Sequence, residues 1–195
     1  MNITINKSEL LDEITNKSKP IFYNAEKLAL SVDLANSSSK PNFVKQVFEI
    51  YFEENESGVP VVGVGGTTLE IPSHGLSKHL EGCNKVALFC VTLGHGADRE
   101  IERAKSKDME LAVLLDIAFL LLVEKACDKI CFDLKNEYTS CELTPRYSLG
   151  YEDSPLELQS EFLNVLNAEK RIGVLVTDGG MMLPTKSVTA MIGIK

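Results

Sequence analysis

The 195 residues carry 20 Lys and Arg against 28 Asp and Glu, a formal net charge of −8. That balance argues against a general nucleic-acid binder or a ligand of anionic membranes, since both need Lys and Arg to neutralise phosphate. With 44% hydrophobic and 25% charged residues, whole-chain disorder is excluded, and ~70% of the extended surface can be buried in one core without disulfides or metal. The start, MNITINKSELLDEI, shows no apolar run behind a basic segment, so no signal peptide is expected. The five cysteines then read as free thiols of a reducing cytoplasm. The longest apolar stretch, Leu111 to Val123, is interrupted by Asp116. It is too short to span a bilayer and fits a buried helix.

In chain order, Ser8 to Thr15 and Ala25 to Leu34 have helical patterns, followed by the turn Ser37-Ser38-Ser39-Lys40-Pro41. Phe43, Val47 and Tyr51 fall at i, i+4 and i+8, and Val44, Phe48 and Phe52 repeat that spacing. This predicts a third helix from about Pro41 to Glu54. Val59 to Val64 and Thr67 to Ile71 flank Gly65-Gly66 and read as a hairpin. Ser73 caps a short helix ending near Gly82. Lys85 to Thr92 (KVALFCVT) reads as a buried strand, and the glycine turn after it opens another helix. Ser106 to about Asn136 is a long helix, apolar nearly all round in its middle. Ser154-Pro155-Leu156-Glu157 reads as an N-cap with proline at the first helical position, opening a helix to about Asn167. Ile172 to Thr177 and Ser187 to Ile194 read as strands joined by Asp178 to Lys186. Helices first, then strands mixed with helices, predict an α+β fold. We expect one compact domain with a mixed or antiparallel sheet and one long central helix.

Cys127 and Cys131, four apart on one helix face, lack the converging third and fourth donors that a metal needs. They read as structural thiols, and no metal site is expected. The glycines of VGVGG and LGHG lack the strand–turn–helix order of a phosphate fingerprint and read as turn residues. Cys90 beside His95 could be posed as a nucleophile and base, but Cys90 lies inside a strand and should be buried. Asp116 and Glu124 interrupt the apolar helix eight residues apart. Each lies either at a solvated edge or in a ligand site.

The densest signal is Thr144-Pro145-Arg146-Tyr147-Ser148-Leu149-Gly150-Tyr151. An arginine fork takes a carboxylate in two parallel hydrogen bonds, and a tyrosine face covers an aromatic ring or a cation. Chemically this is either a pocket for a small zwitterion with an aromatic part or an ordinary surface loop.

RYSLGYEDSPLELQSEFLNVLN followed by IGVLVTDGGMMLPTKSVTAMIGI resembles the activation domain of cobalamin-dependent methionine synthase, in its stand-alone short form. The resemblance is close from Arg146 to Ile194 and looser back to about Val59. It divides the chain into an N-terminal helical segment, 1–57, and an activation-like region, 58–195. It implies S-adenosylmethionine as ligand. Arg146 would hold its carboxylate, the backbone around Ser148 and Gly150 its adenine or sulfonium end, Tyr151 a pocket wall, and Glu124 its ammonium group. Leu149 stands where the family has proline, and Glu152 replaces a second one, which implies a less rigid loop.

The implied function is reactivation of cobalamin by reductive methylation. It would act in trans on a truncated cobalamin-dependent methionine synthase, with a flavodoxin-type electron donor and cobalamin present only through the partner. No catalytic side chain is expected, because the sulfonium is already an activated methyl donor. The 195 residues leave no room for homocysteine, folate or cobalamin domains and show no Asp-x-His-x-x-Gly signature of a cobalamin-binding domain, so the chain is not expected to make methionine alone. The tyrosine-bearing extension of full-length enzymes is not found before Lys195, so the resemblance implies that part of the pocket wall is missing or supplied by a partner. The alternative is an S-adenosylmethionine-binding regulatory or interaction module without such a partner.

Overall fold

A computed structural model describes residues 1, 3–17 and 23–195, with the side chains of residues 16 and 17 left aside. In chain order the elements are α1 (Lys7–Lys17), α2 (Ala25–Ser38), β1 (Asn42–Glu54), β2 (Pro60–Val64), β3 (Glu70–Pro72), α3 (His74–His79), β4 (Lys85–Thr92) and α4 (His95–Lys105). There follow α5 (Met109–Glu137), α6 (Gln159–Val165) with a 3-10 turn over Leu156–Leu158 before it, α7 (Ala168–Ile172), β5 (Leu175–Val176), β6 (Met182–Leu183) and β7 (Ser187–Ile194). The fold is α+β. Its five-stranded antiparallel sheet has the order β3-β2-β1-β4-β7, and β5 and β6 form a separate pair. The chain forms two compact units: Met1–Asn42 with Val91–Ile130 and Leu183–Ser187, and Phe43–Cys90 with Cys131–Met182 and Val188–Lys195.

The first unit is helical, and local polar residues set its helix starts. Asn6 Oδ1 accepts from Glu9 N (3.0 Å) while the Glu9 carboxylate accepts from Asn6 N (2.8 Å), a reciprocal cap that satisfies two orphan donors of α1. Asn24 caps α2 by accepting from Glu26 N and Lys27 N. Lys27 Nζ lies between the carboxylates of Asp108 (2.7 Å) and Glu110 (2.6 Å). Within this unit α5 buries Ala112, Leu115, Phe119, Leu122 and Ala126. Met109, Val113, Asp116 and Leu120 remain exposed on a stripe at i, i+4, i+7 and i+11. Three of these four are apolar, so the middle of the helix is apolar nearly all round, as its sequence predicts, while one stripe of it stays exposed. No helix among the described residues is long and apolar enough to cross a membrane.

The second unit holds the sheet and packs it on α3, α6 and α7. Its core includes Val44, Val62, Ile71, Leu76, Leu88, Phe162 and Met191. The hairpin, the Ser73 cap and strands β4 and β7 lie where the sequence predicts. The third helix does not form: residues 42–54 are β1, paired antiparallel with β2 at Ile50↔Val64 and Phe52↔Val62. A spacing of i, i+4, i+8 satisfies a period of 2 as well as one of 3.6. The Phe, Val, Ile and Tyr content of NFVKQVFEIYFEE favours the extended form.

Two C-terminal expectations also change. Ser154 caps no helix; its Oγ faces the Ser148 carbonyl at 3.5 Å. The turn after it begins at Pro155 without a side-chain cap. The strand expected over Ile172–Thr177 shrinks to Leu175–Val176, because residues 168–172 form α7, which closes on left-handed Gly173.

Gly193 in β7 marks the tightest packing near the site described below. A Cβ there would lie 2.5 Å from Cys83 Sγ, 2.7 Å from Leu80 Cδ2 and 3.0 Å from Thr144 Cγ2. Overpacking of such a core costs about 1–3 kcal/mol. Chemical denaturation of Gly193→Ala should therefore show a loss of that size. Wild-type stability would show that the strand has room for a methyl group.

Candidate functional site

Strand β7 lies at one edge of the sheet, and residues 142–148 run antiparallel along it. Lys195 N donates to Glu142 O (2.9 Å), Thr144 N to Gly193 O (3.0 Å), and Tyr147 and Met191 exchange bonds of 2.9 and 2.8 Å. Side chains extend the pairing: Thr144 Oγ1 accepts from Gly193 N (2.9 Å), and Ser148 Oγ donates to Thr189 O (2.8 Å). Pro145 has no N–H to give, so pairing is limited to isolated bridges at Leu143↔Ile194 and Tyr147↔Met191.

The sequence-predicted loop starts on this edge and leaves it after Ser148. Tyr147 and Leu149, each 5% exposed, belong to the core cluster. Arg146 and Ser148 are half-buried, and Gly150 and Tyr151 are exposed. The Tyr147 ring lies 5.0 Å from the His79 ring and meets Tyr151 edge-on at 5.8 Å. Its hydroxyl donates to Tyr151 O at 2.9 Å. His79 Nε2 is 2.9 Å from Pro145 O; facing a carbonyl, that nitrogen must carry the proton. Tyr151 N to Ser148 O (3.2 Å), Gly150 N to Ser154 O (3.0 Å) and Ser154 N to Tyr151 O (2.9 Å) close the bend. Gly150 has φ +85°, a conformation in which a side chain is strained.

Asp153, which the sequence reading missed, ends the loop. Its carboxylate accepts from Ser73 Oγ (2.5 Å), His74 N (2.8 Å) and Gly75 N (3.0 Å). These bonds, the Ser73 hydroxyl foremost, hold its pKa down at about 2. No local pattern announces this contact, because the partners lie 78 to 80 residues away in sequence.

Four of the predicted residues, Arg146, Ser148, Gly150 and Tyr151, thus share one loop of the second unit. Glu124 belongs to the first unit, half-buried on α5. Asp116 is a solvated edge residue, paired with Lys186 at 2.8 Å. Cys90 is fully buried in β4. No group of three or more His, Cys, Asp or Glu among the described residues could hold a metal ion. The second unit has cavities beside α3 and around α6 and α7, lined by residues outside the loop. The loop itself offers recognition chemistry: a guanidinium for an anion, an exposed tyrosine face, and a backbone left bare at Gly150.

Because the folded-state pKa of Asp153 is depressed, its contribution is present above the ordinary carboxylate value and is lost as pH falls through about 2. A carboxyl NMR titration should place its midpoint near 2. A midpoint at the ordinary 3.8 would show that the contacts to Ser73, His74 and Gly75 do not persist in solution.

No family model matches the chain, and no curated protein matches it. Among solved structures it is similar to a crystal structure of the MetH reactivation domain bound to AdoHcy, with a TM-score of 0.58 and 15% sequence identity. The match covers 95% of this chain, which spans 64% of that structure's length. At this identity the likeness is one of fold.

Proposed function

We propose that this protein binds S-adenosylmethionine through the loop Arg146–Tyr151 and acts as a reactivation component for a cobalamin-dependent methionine synthase chain. The observation that carries the reading is the fold likeness to the MetH reactivation domain bound to AdoHcy, in a chain whose RYSLGY loop is fixed at the sheet edge. AdoHcy is what remains of S-adenosylmethionine once its methyl group has left, so a site for one fits the other apart from that methyl.

In this reading Arg146 takes the ligand carboxylate, because a guanidinium matches it with two parallel donors. The backbone at Ser148 and Gly150 meets the adenine or sulfonium end. The exposed Tyr151 face covers the ligand and favours its cationic sulfonium. Cobalamin, held by the partner synthase and reduced by one electron from a flavodoxin-type donor, would supply the methyl acceptor, and S-adenosylhomocysteine would be left on this chain. This chain's own residues hold the donor in line and exclude water. No side chain moves a proton, since the sulfonium needs no further activation.

Equilibrium titration should show saturable binding of S-adenosylmethionine at one site per chain. Arg146→Lys should weaken it by roughly ten- to hundredfold, the scale of a charge-assisted hydrogen bond at about 1–3 kcal/mol, with an unchanged circular dichroism spectrum. Wild-type affinity in that variant would remove Arg146 from the site. Added to an inactivated synthase with reductant and S-adenosylmethionine, the protein should restore turnover, while alone it should make no methionine. Binding without restored turnover would instead identify a regulatory module.

A further inference from the structure

We propose that helix α3 holds the 146–151 loop from both ends, with His79 and Asp153 as its positioning residues. What the loop binds rests on the reading above; how it is held does not. Hydrogen bonds to β7 account for the loop only as far as Ser148. Beyond that point Gly150 and Glu152 both adopt positive φ, +85° and +50°. A non-glycine residue keeps such a backbone only where its surroundings over-determine it.

Helix α3 supplies that restraint. At its C-terminal end, His79 Nε2 donates to Pro145 O and the His79 ring lies against Tyr147, just before and after Arg146. At its N-terminal end, Asp153 accepts from Ser73 Oγ, His74 N and Gly75 N, immediately after Glu152. Ser73 is fully buried, and its oxygen also accepts from Leu76 N at 2.9 Å. The same hydroxyl therefore caps the helix and grips the loop. Leu76 and Leu80 are fully buried in the core, so α3 is a fixed rod. The six residues His74–His79 set the separation of the two grips, and with it the placement of Arg146 relative to Tyr151. The bound conformation is thus formed before the ligand arrives, and the ordering cost does not fall on binding.

The test compares wild type with Asp153→Ala, Asp153→Asn and His79→Phe by residue-resolved hydrogen exchange and by titration with S-adenosylmethionine. In Asp153→Ala the amides of Gly150, Tyr151 and Ser154 should exchange at least tenfold faster, while those of β4 and β7 stay as in wild type. Affinity for S-adenosylmethionine should fall by about tenfold. Asp153→Asn, which keeps one acceptor oxygen, should fall between the two. It also serves as the measurement if the alanine variant does not fold. His79→Phe keeps a ring against Tyr147 but loses the donor, and should loosen Arg146 and Tyr147 more than Ser154. Wild-type exchange at all these amides would overturn the proposal, and so would faster exchange with unchanged affinity. If the wild type binds no S-adenosylmethionine, the functional reading fails, and the exchange rates still decide whether α3 holds the loop.

Discussion

Strand β7 ends the sheet on one side, and its outward N–H and C=O groups need partners. Residues 142–148 supply them, with Thr144, Tyr147 and Ser148 bonded to Gly193, Met191 and Thr189. The segment that covers the edge is the one that carries the candidate site. Its backbone is fixed by a requirement of the sheet, before any ligand is considered. Gly193 serves the same end, since its missing side chain lets Leu80, Cys83 and Thr144 close over the strand.

From that anchored edge, alternate residues take different tasks. Tyr147 and Leu149 turn into the core, while Arg146, Gly150 and Tyr151 face outward or partly so. Where a proline would restrain the backbone by its ring, Leu149 restrains it by burial. Tyr147 belongs to both sides: its ring packs with His79 and Tyr151, and its hydroxyl holds the Tyr151 carbonyl. Recognition groups are most effective when their supports are already satisfied, and each support here is a named contact within the second unit.

The sequence made some of this legible and hid the rest for physical reasons. KVALFCVT and SVTAMIGI are apolar runs of strand length with polar or glycine borders, so burial and strand geometry give the same answer. Ser73 announces its cap because a cap acts within three residues. Residues 42–54 misled because four-residue spacing is common to both regular structures, and only the β-branched and aromatic content separates them. Ser154-Pro155 imitates a helix start, but Ser154 is committed to the bend through its bond to Tyr151. RYSLGY stands out as a cluster, yet what positions it does not. The contacts of Asp153 with Ser73 and of His79 with Pro145 form only through folding, and composition and periodicity carry no trace of them. Glu124 stands out as an interruption of the apolar helix, but its pairing with a ligand ammonium group is implied by the resemblance alone, and the structure leaves it half-buried on α5.

The central claim concerns one loop and one ligand, and a crystal structure of the protein grown or soaked with S-adenosylhomocysteine addresses it most directly. The account predicts ligand density against residues 146–151, with the amino-acid carboxylate on the Arg146 guanidinium and the Tyr151 ring over the ligand. The α3 contacts to Pro145 and Asp153 should be unchanged from the free protein. Density at another place, or none beside Arg146 at saturating ligand, would contradict it.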